Sequence, residues 1–281
     1  MITIHTVAEL RAHVASTRAE GRRIGLVPTM GALHEGHLQL CDVARRHADA
    51  IVVSVFVNPL QFAPGEDFDR YPRDLDRDAR LIAGRGAAVL FAPDNADVYP
   101  EGATEVRVHA PVLGDMLCGR FRPGHFEGVL TMVAKLFNMT RPDSAVFGRK
   151  DLQQAALIRR MVRDLNFGID VIVAPTVREA DGLAMSSRNV YLSALERRSA
   201  LALHSALNAG QQAFIAGESN PAGIAAAAAA ILEAEPGVSV QYVEVVDPES
   251  LLVPRRVERG HAVAVAGYVG KTRLIDNHIL E

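Results

Sequence analysis

The stretch Ile24 to Leu40, IGLVPTMGALHEGHLQL, constrains this chain more than any other. A short apolar run, Ile24 to Val27, passes into Pro28-Thr29-Met30-Gly31, and from Glu35 the apolar positions Leu38, Val43 and Ala44 are spaced to face a core from a helix. The pattern is strand, glycine-bearing turn, helix. Such a turn leaves unpaired backbone N–H groups at the helix start, where the positive end of the helix dipole also points, so an anion such as phosphate is a natural guest. His34 and His37 place two imidazoles on one side of the first helical turn, and Gly36 lets a flat ring or a phosphate approach the backbone. Two histidines three apart also suit a plain surface or a metal pair. The zinc-protease pattern is excluded, because it needs histidines four apart, an adjacent acid and a third ligand.

The rest of the chain supplies the context. Ile51 to Val57 is a continuous β-branched run of the kind buried on both faces of a parallel sheet, and Ala88 to Phe91, Ser144 to Phe147 and Ile169 to Val173 are further short apolar strands. Helical patterns separate them, from Pro72 to about Arg85, from Phe126 to Met139 and from Asp151 to Leu165. Five strands alternating with helices predict a doubly wound α/β domain over residues 1–176, with right-handed crossovers. The character changes near Pro175. Thr176 to Asn189 is polar and glycine-bearing, Ser193-x-x-Glu196 opens a long helix, and Asn220-Pro221 opens a second one through the alanine run. Val238 to Val246, Ala262 to Val269 and Arg273 to Ile275 then read as antiparallel strands. A smaller α+β domain, 177–281, follows from this, with the polar junction placed where a lid or phosphate clamp is expected.

Bulk properties narrow the function classes. A net charge of −3 gives no electrostatic case for nucleic acid or a membrane surface as the main partner. No apolar segment reaches the roughly 18 residues of a membrane span, and Met1 to Leu10 lacks the pattern of a signal peptide. Cys41 and Cys118 are far apart and form no C-x-x-C, so neither a disulfide framework nor a zinc knuckle is indicated, and a reducing cytoplasm fits.

Three more polar clusters stand out. Asn58-Pro-Leu-Gln61 follows the second of these strands, either as a plain turn or as part of the crevice that His34 and His37 face. Gly148-Arg149-Lys150-Asp151 follows the fourth. Lys150 offers a compact positive charge at a helix start, while Asp151 suits a helix cap or a ribose hydroxyl. Met185-Ser186-Ser187-Arg188 joins two hydroxyls to an arginine, which suits a polyphosphate. Each alone is also consistent with solvated surface. Together they predict one crevice for a triphosphate and a small polar substrate.

The blocks Pro28 to His37, Phe56 to Phe62, Phe147 to Gln154 and Met185 to Asn189 resemble the signature motifs of the pantoate-beta-alanine ligase (pantothenate synthetase) family, with a weaker terminal match from Gly270 to Asn277. The resemblance implies an HxGH nucleotidyl-transferase fold, Rossmann-like in its first domain, and usually a homodimer. It also implies the chemistry: ATP with magnesium and pantoate give pantoyl adenylate, and beta-alanine then gives pantothenate and AMP. Carried onto this sequence, the nucleotide contacts fall on Met30, Gly31, Ala32, Leu33, His34, Glu35, Gly36 and His37, on Gly148, Arg149, Lys150 and Asp151, on Val177, and on Met185, Ser186, Ser187 and Arg188. Gln61, Gln154 and Asn58 fall to the substrates, and His37, His34, Lys150 and Arg188 to catalysis. Arg149 departs from the family pattern, which leaves its role open. No spacing rule selects a magnesium ligand, although Asp74, Asp76 and Asp78 form an acidic run. Another HxGH nucleotidyl transferase is the alternative enzyme, disfavoured by paired glutamines that suit a small hydroxy acid. A nucleotide-binding regulator without turnover is the alternative from another class.

Overall fold

The computed structural model describes residues 1–102 and 104–281 of the chain. Two compact units are present, one holding residues 1–115, 122–148 and 157–174, the other 116–121, 149–156 and 175–281. The second unit therefore takes two short segments from earlier in the chain.

In order, the chain forms β1 (Ile2–Ile4), α1 (Val7–Ala19), β2 (Ile24–Thr29), α2 (Glu35–Ala44), β3 (Ala50–Val55), α3 (Leu75–Ala83), β4 (Val89–Phe91), α4 (Asn95–Val98), α5 (Cys118–Phe121), α6 (His125–Thr140), β5 (Ser144–Gly148), α7 (Leu152–Asp164) and β6 (Asp170–Ala174). The strands make one six-stranded sheet in the order β1-β4-β3-β2-β5-β6, parallel throughout. This is the α/β architecture expected, with one strand more than the five predicted. β1 and α1 were missed because the strand is only three residues long with two of them exposed, and α1 buries only Leu10, Val14 and Thr17. The readable cue was the capping box, in which Thr6 Oγ1 accepts the Glu9 N–H at 3.2 Å while a Glu9 oxygen accepts the Thr6 N–H at 3.2 Å. The continuous apolar run of β3 is explained by its place inside the sheet, where Ile51, Val52 and Val53 are all fully buried. α3 begins later than the Pro72 start expected, because Asp74 Oδ1 accepts the Arg77 N–H at 3.0 Å and so caps the helix.

The second unit contains α8 (Ala194–Ile215), α9 (Pro221–Glu233), and the antiparallel sheet β7 (Val238–Val246), β8 (Ala262–Val269), β9 (Thr272–Ile279). The predicted capping box at Ser193 and Glu196 starts α8. Leu203, Leu207, Ile224, Ala228, Val245, Val263, Val265 and Leu274 form the shared core of these helices and strands. β9 runs well past Ile275, where apolar alternation ends. Asp276 and Asn277 continue it as polar residues only 4% exposed, a pattern that alternation does not anticipate. Both cysteines are free and buried, and burial pushes the Cys41 thiol up to about 11. Among the described residues no helix is long and apolar enough to cross a membrane.

Candidate active site

β2 pairs with β3 on one side, beyond which lie β4 and β1, and with β5 on the other, beyond which lies β6. The winding direction therefore reverses between β2 and β5, and open parallel sheets bind ligands beyond the carboxyl ends of the strands at such a point. The turn after β2 and Gly148 at the end of β5 both leave the sheet there.

That turn is left-handed at two successive residues, Gly31 (φ 83°) and Ala32 (φ 50°). A Cβ on Gly31 would lie 2.9 Å from Val55 Cγ1 and 3.0 Å from Asp78 Oδ2, so both conformation and space require glycine. Asp78 of α3 is the anchor. Its Oδ2 accepts the Ala32 N–H at 2.9 Å and its Oδ1 accepts the Leu33 N–H at 2.8 Å, with the Arg77 guanidinium 3.7 Å away. Burial pushes the carboxyl up, the two amides and Arg77 pull it down, and the net direction is upward. Asp78, weighed as a magnesium ligand in the sequence, is thus committed to two backbone amides, and Asp74 to capping α3. An asparagine at 78 could accept only one amide and would turn an NH2 toward the other. Asp78→Asn is therefore expected to lower stability by about 1–3 kcal/mol in chemical denaturation.

These bonds revise the simple picture of a turn full of unpaired amides. The N–H groups of Gly31, Ala32, Leu33 and His34 are taken up by Thr29, Asp78 and His37 side chains. These are amides of the turn itself, ahead of the first helical residue Glu35. His34 is the N-cap, and its N–H donates to His37 Nδ1 at 3.4 Å. A neutral ring that accepts at Nδ1 carries its proton on Nε2, so His37 is held as an Nε2–H donor. The two ring centroids are 4.0 Å apart at an interplanar angle of 35°. Glu35 is exposed and pairs with Arg85 at 2.6 Å, and the side chain of Leu33 is in the core. Met30 Sδ accepts a hydrogen bond from Gln61 Nε2.

Gln61 sits in a short 3-10 turn, Pro59–Gln61, and a buried network fixes it there. Asn58 is 1% exposed. Its Nδ2 donates to Gln61 Oε1 at 3.2 Å and to the Gly128 carbonyl at 3.0 Å, and its Oδ1 accepts from the Leu60 N–H at 3.2 Å and the Tyr99 hydroxyl at 2.9 Å. That exhausts an asparagine amide. Burial raises the Tyr99 phenol to about 12, so it remains a donor at neutral pH. On the other side, His125 Nδ1–H donates to the Gln61 carbonyl at 2.8 Å while its Nε2 faces Arg122 Nη1 at 2.9 Å. Arg122 also pairs with Glu66 at 2.6 Å. Burial raises the Glu66 carboxyl, but the Arg122 bond and charge outweigh it and the net direction is downward.

Gly128 of α6 allows this turn to lie directly on the helix. A Cβ there would fall 2.2 Å from the Leu60 carbonyl oxygen and 2.7 Å from Gln61 N. Gly128→Ala must displace backbone, and is expected to lower stability by about 1–3 kcal/mol in chemical denaturation. Sequence reasoning missed Tyr99, Arg122, His125 and Gly128. The one local cue was a glycine early in an otherwise strong helix, which often marks close packing.

In the second unit, Arg149, Lys150 and Asp151 form a 3-10 turn ahead of α7. Asn277 Nδ2 donates to the carbonyls of Arg149 and Lys150 at 2.9 Å each, and Lys150 Nζ lies 3.9 Å from Asp151 Oδ1. Gln154 is half-buried, whereas its neighbour Gln153 is buried and bonded to the backbone of Met116 and Cys118. The 176–189 stretch is a small hairpin. Arg178 bridges Ala184, the Met185 N–H donates to the Val177 carbonyl at 3.0 Å, and the Ser186 hydroxyl accepts the Arg188 N–H at 3.2 Å to cap the turn that holds Ser187. Met185, Ser186, Ser187 and Arg188 are all half-buried. Among the described residues no group of three or more histidine, cysteine or acidic side chains is placed to hold a metal.

Comparison with known proteins gives the family and the fold. A family model described as pantoate-beta-alanine ligase matches residues 2–279. A pantothenate synthetase of Moorella thermoacetica is 52% identical over 282 residues, covering 100% of this chain and 99% of its own length. The crystal structure of pantothenate synthetase from Thermus thermophilus superimposes with a TM-score of 0.93 at 49% identity, covering 99% of both chains. A pantoate-beta-alanine ligase from Francisella tularensis, solved in complex with beta-gamma ATP and beta-alanine, gives a TM-score of 0.82 at 33% identity over 99% of this chain and 97% of its own.

Proposed function

The chain belongs to the pantoate-beta-alanine ligase family, and from that membership we propose that it condenses pantoate with beta-alanine in an AMP-forming reaction driven by ATP. In the first step a pantoate carboxylate oxygen attacks the α-phosphorus, a new P–O bond forms, the bond to the β-phosphate breaks, and pyrophosphate leaves. In the second, the beta-alanine amine attacks the acyl carbon, the C–N bond forms, the acyl C–O bond to the phosphate breaks so that AMP leaves with its electron pair, and the nitrogen releases a proton to solvent. The observation that best supports this reading within the chain is His37, held as an Nε2–H donor at the head of α2 where the sheet reverses its winding.

The stretch Met30 to His37, together with Gly148 to Asp151, Val177 and Met185 to Arg188, serves ATP in this reading. His37, His34, Lys150 and Arg188 donate to phosphate oxygens as negative charge builds on them during attack. Gln61 and Gln154 hold the small substrates. Asn58 acts through Gln61, because its own amide is fully used inside the fold. Magnesium enters with the triphosphate as part of the substrate, a role that its preference for phosphate oxygens and retained water supports. Residues 177–281 act as a lid that excludes water from the mixed anhydride. We further propose a homodimer, as the family resemblance implies, working in the cytoplasm, where free buried thiols such as Cys41 and Cys118 persist.

Pantoate-dependent exchange of labelled pyrophosphate into ATP, followed by AMP release only when beta-alanine is added, tests the reading. Exchange with no pantoate requirement would overturn it. A different HxGH nucleotidyl transferase is not favoured, because the family match runs nearly the whole chain.

A further inference from the structure

The segment Gly270 to Asn277 is the sequence block to which the family resemblance attached no residue role. Its last two residues are buried polar side chains on β9, each 4% exposed. Asp276 takes the Arg178 guanidinium as a fork, with Nη1 to Oδ2 at 2.6 Å and Nη2 to Oδ1 at 3.1 Å. The same Nη1 donates to the Gly182 carbonyl at 3.1 Å, so one guanidinium closes the hairpin on itself and ties it to β9. Asn277 does the corresponding work on another segment, because its Nδ2 spans the carbonyls of Arg149 and Lys150 at 2.9 Å each. The two carbonyl partners also set the amide orientation, since a flipped Oδ1 would face two acceptors. The residues are linked to each other through the Asn277 N–H, which donates to Asp276 Oδ1 at 2.8 Å.

We infer that Asp276 and Asn277 are positioning residues for ATP: adjacent side chains on one strand fix the spacing of the Lys150 turn and the Met185–Arg188 hairpin. This deepens the ligase reading and rests on it. A single strand is a stiff ruler, and a pair of cations meant to meet one polyphosphate loses most of its effect when either is misplaced by about 1 Å. The other braces on the hairpin, Arg197 to Glu179 at 2.6 Å and to Asp181 at 2.7 Å, come from α8 and leave the Lys150 turn untouched. Only the Asp276–Asn277 pair reaches both segments among the bonds described. Burial, followed by the nearby Arg178 charge, pushes His204 and His278 down, so both flanking imidazoles are neutral at pH 7 and leave Arg178 paired to Asp276.

The test uses the full-length protein with Asn277→Ala and Asp276→Asn, singly and together. ATP affinity is titrated directly in the absence of pantoate, and steady-state constants are then taken for each substrate. Each single substitution is expected to weaken ATP binding at least tenfold and to raise the KM for ATP in step, while the KM for pantoate moves less than twofold and near-UV circular dichroism is unchanged. Arg178→Lys keeps the charge but loses the fork, and reads the same contact should Asp276→Asn fail to fold. Folded variants that bind ATP as the parent does overturn the inference, and so does a uniform loss across all substrates. Parent protein that binds ATP but gives no pantoate-dependent exchange removes the ligase reading and leaves the binding comparison intact.

Discussion

Replacing His37 with alanine is expected to lower pantoate-dependent pyrophosphate exchange by about 10² to 10³-fold, with the KM for ATP moving less than about threefold. The reason is the tautomer. With Nδ1 engaged by the His34 N–H, the neutral ring carries its proton on Nε2, and a donor of that kind is worth most when charge is building on a phosphate oxygen in the transition state. A group that stabilises the transition state more than bound ATP appears in kcat. Measured loss in ATP affinity as large as the loss in kcat would reassign His37 to ground-state binding.

Lys150→Ala is expected to reduce the same rate by an amount equivalent to about 2–4 kcal/mol, the range for a lost donor to a developing oxyanion. Lys150→Arg should recover only part of it. An ammonium is a compact charge, whereas a guanidinium is a broad planar fork that would need different room on the 149–151 turn. Comparing the two separates charge from shape: full recovery by arginine would mean that only local potential matters at this position. The carbonyl of Lys150 is held by Asn277 independently of its side chain, so both variants should keep the turn in place.

Most of the architecture was legible because it rests on local rules. Periodicity located β3, α6, α8 and the antiparallel strands β7 and β8, and the Ser193–Glu196 pair marked the start of α8. The failures share a cause. β1 is a three-residue edge strand that derives its existence from pairing with β4, and the end of β9 is polar residues whose partners lie 98 to 128 positions away in the chain. The site divides in the same way. The turn after β2, the two histidines and the position of Gln61 could be read from residue order and chemical type. Asp78 could be seen only as one of three acids of equal standing, because nothing local distinguishes a carboxylate that anchors two amides from one that faces solvent.

By itself, then, the sequence determined the alternation that builds a parallel sheet, the strand-turn-helix with His34 and His37 at its head, and the family to which those motifs point. The alternation and the turn follow from spacing, handedness and turn chemistry between near neighbours in the chain, whereas the family is a resemblance carried by blocks spread from Pro28 to Asn189. Only the tertiary structure decided which proton His37 carries, that Asn58 braces Gln61, that Gly128 must lack a side chain, and that Asp276 and Asn277 bind two distant segments. Hydrogen bonds and close backbone approaches of that kind depend on three-dimensional distance, which residue order leaves open until the chain has folded.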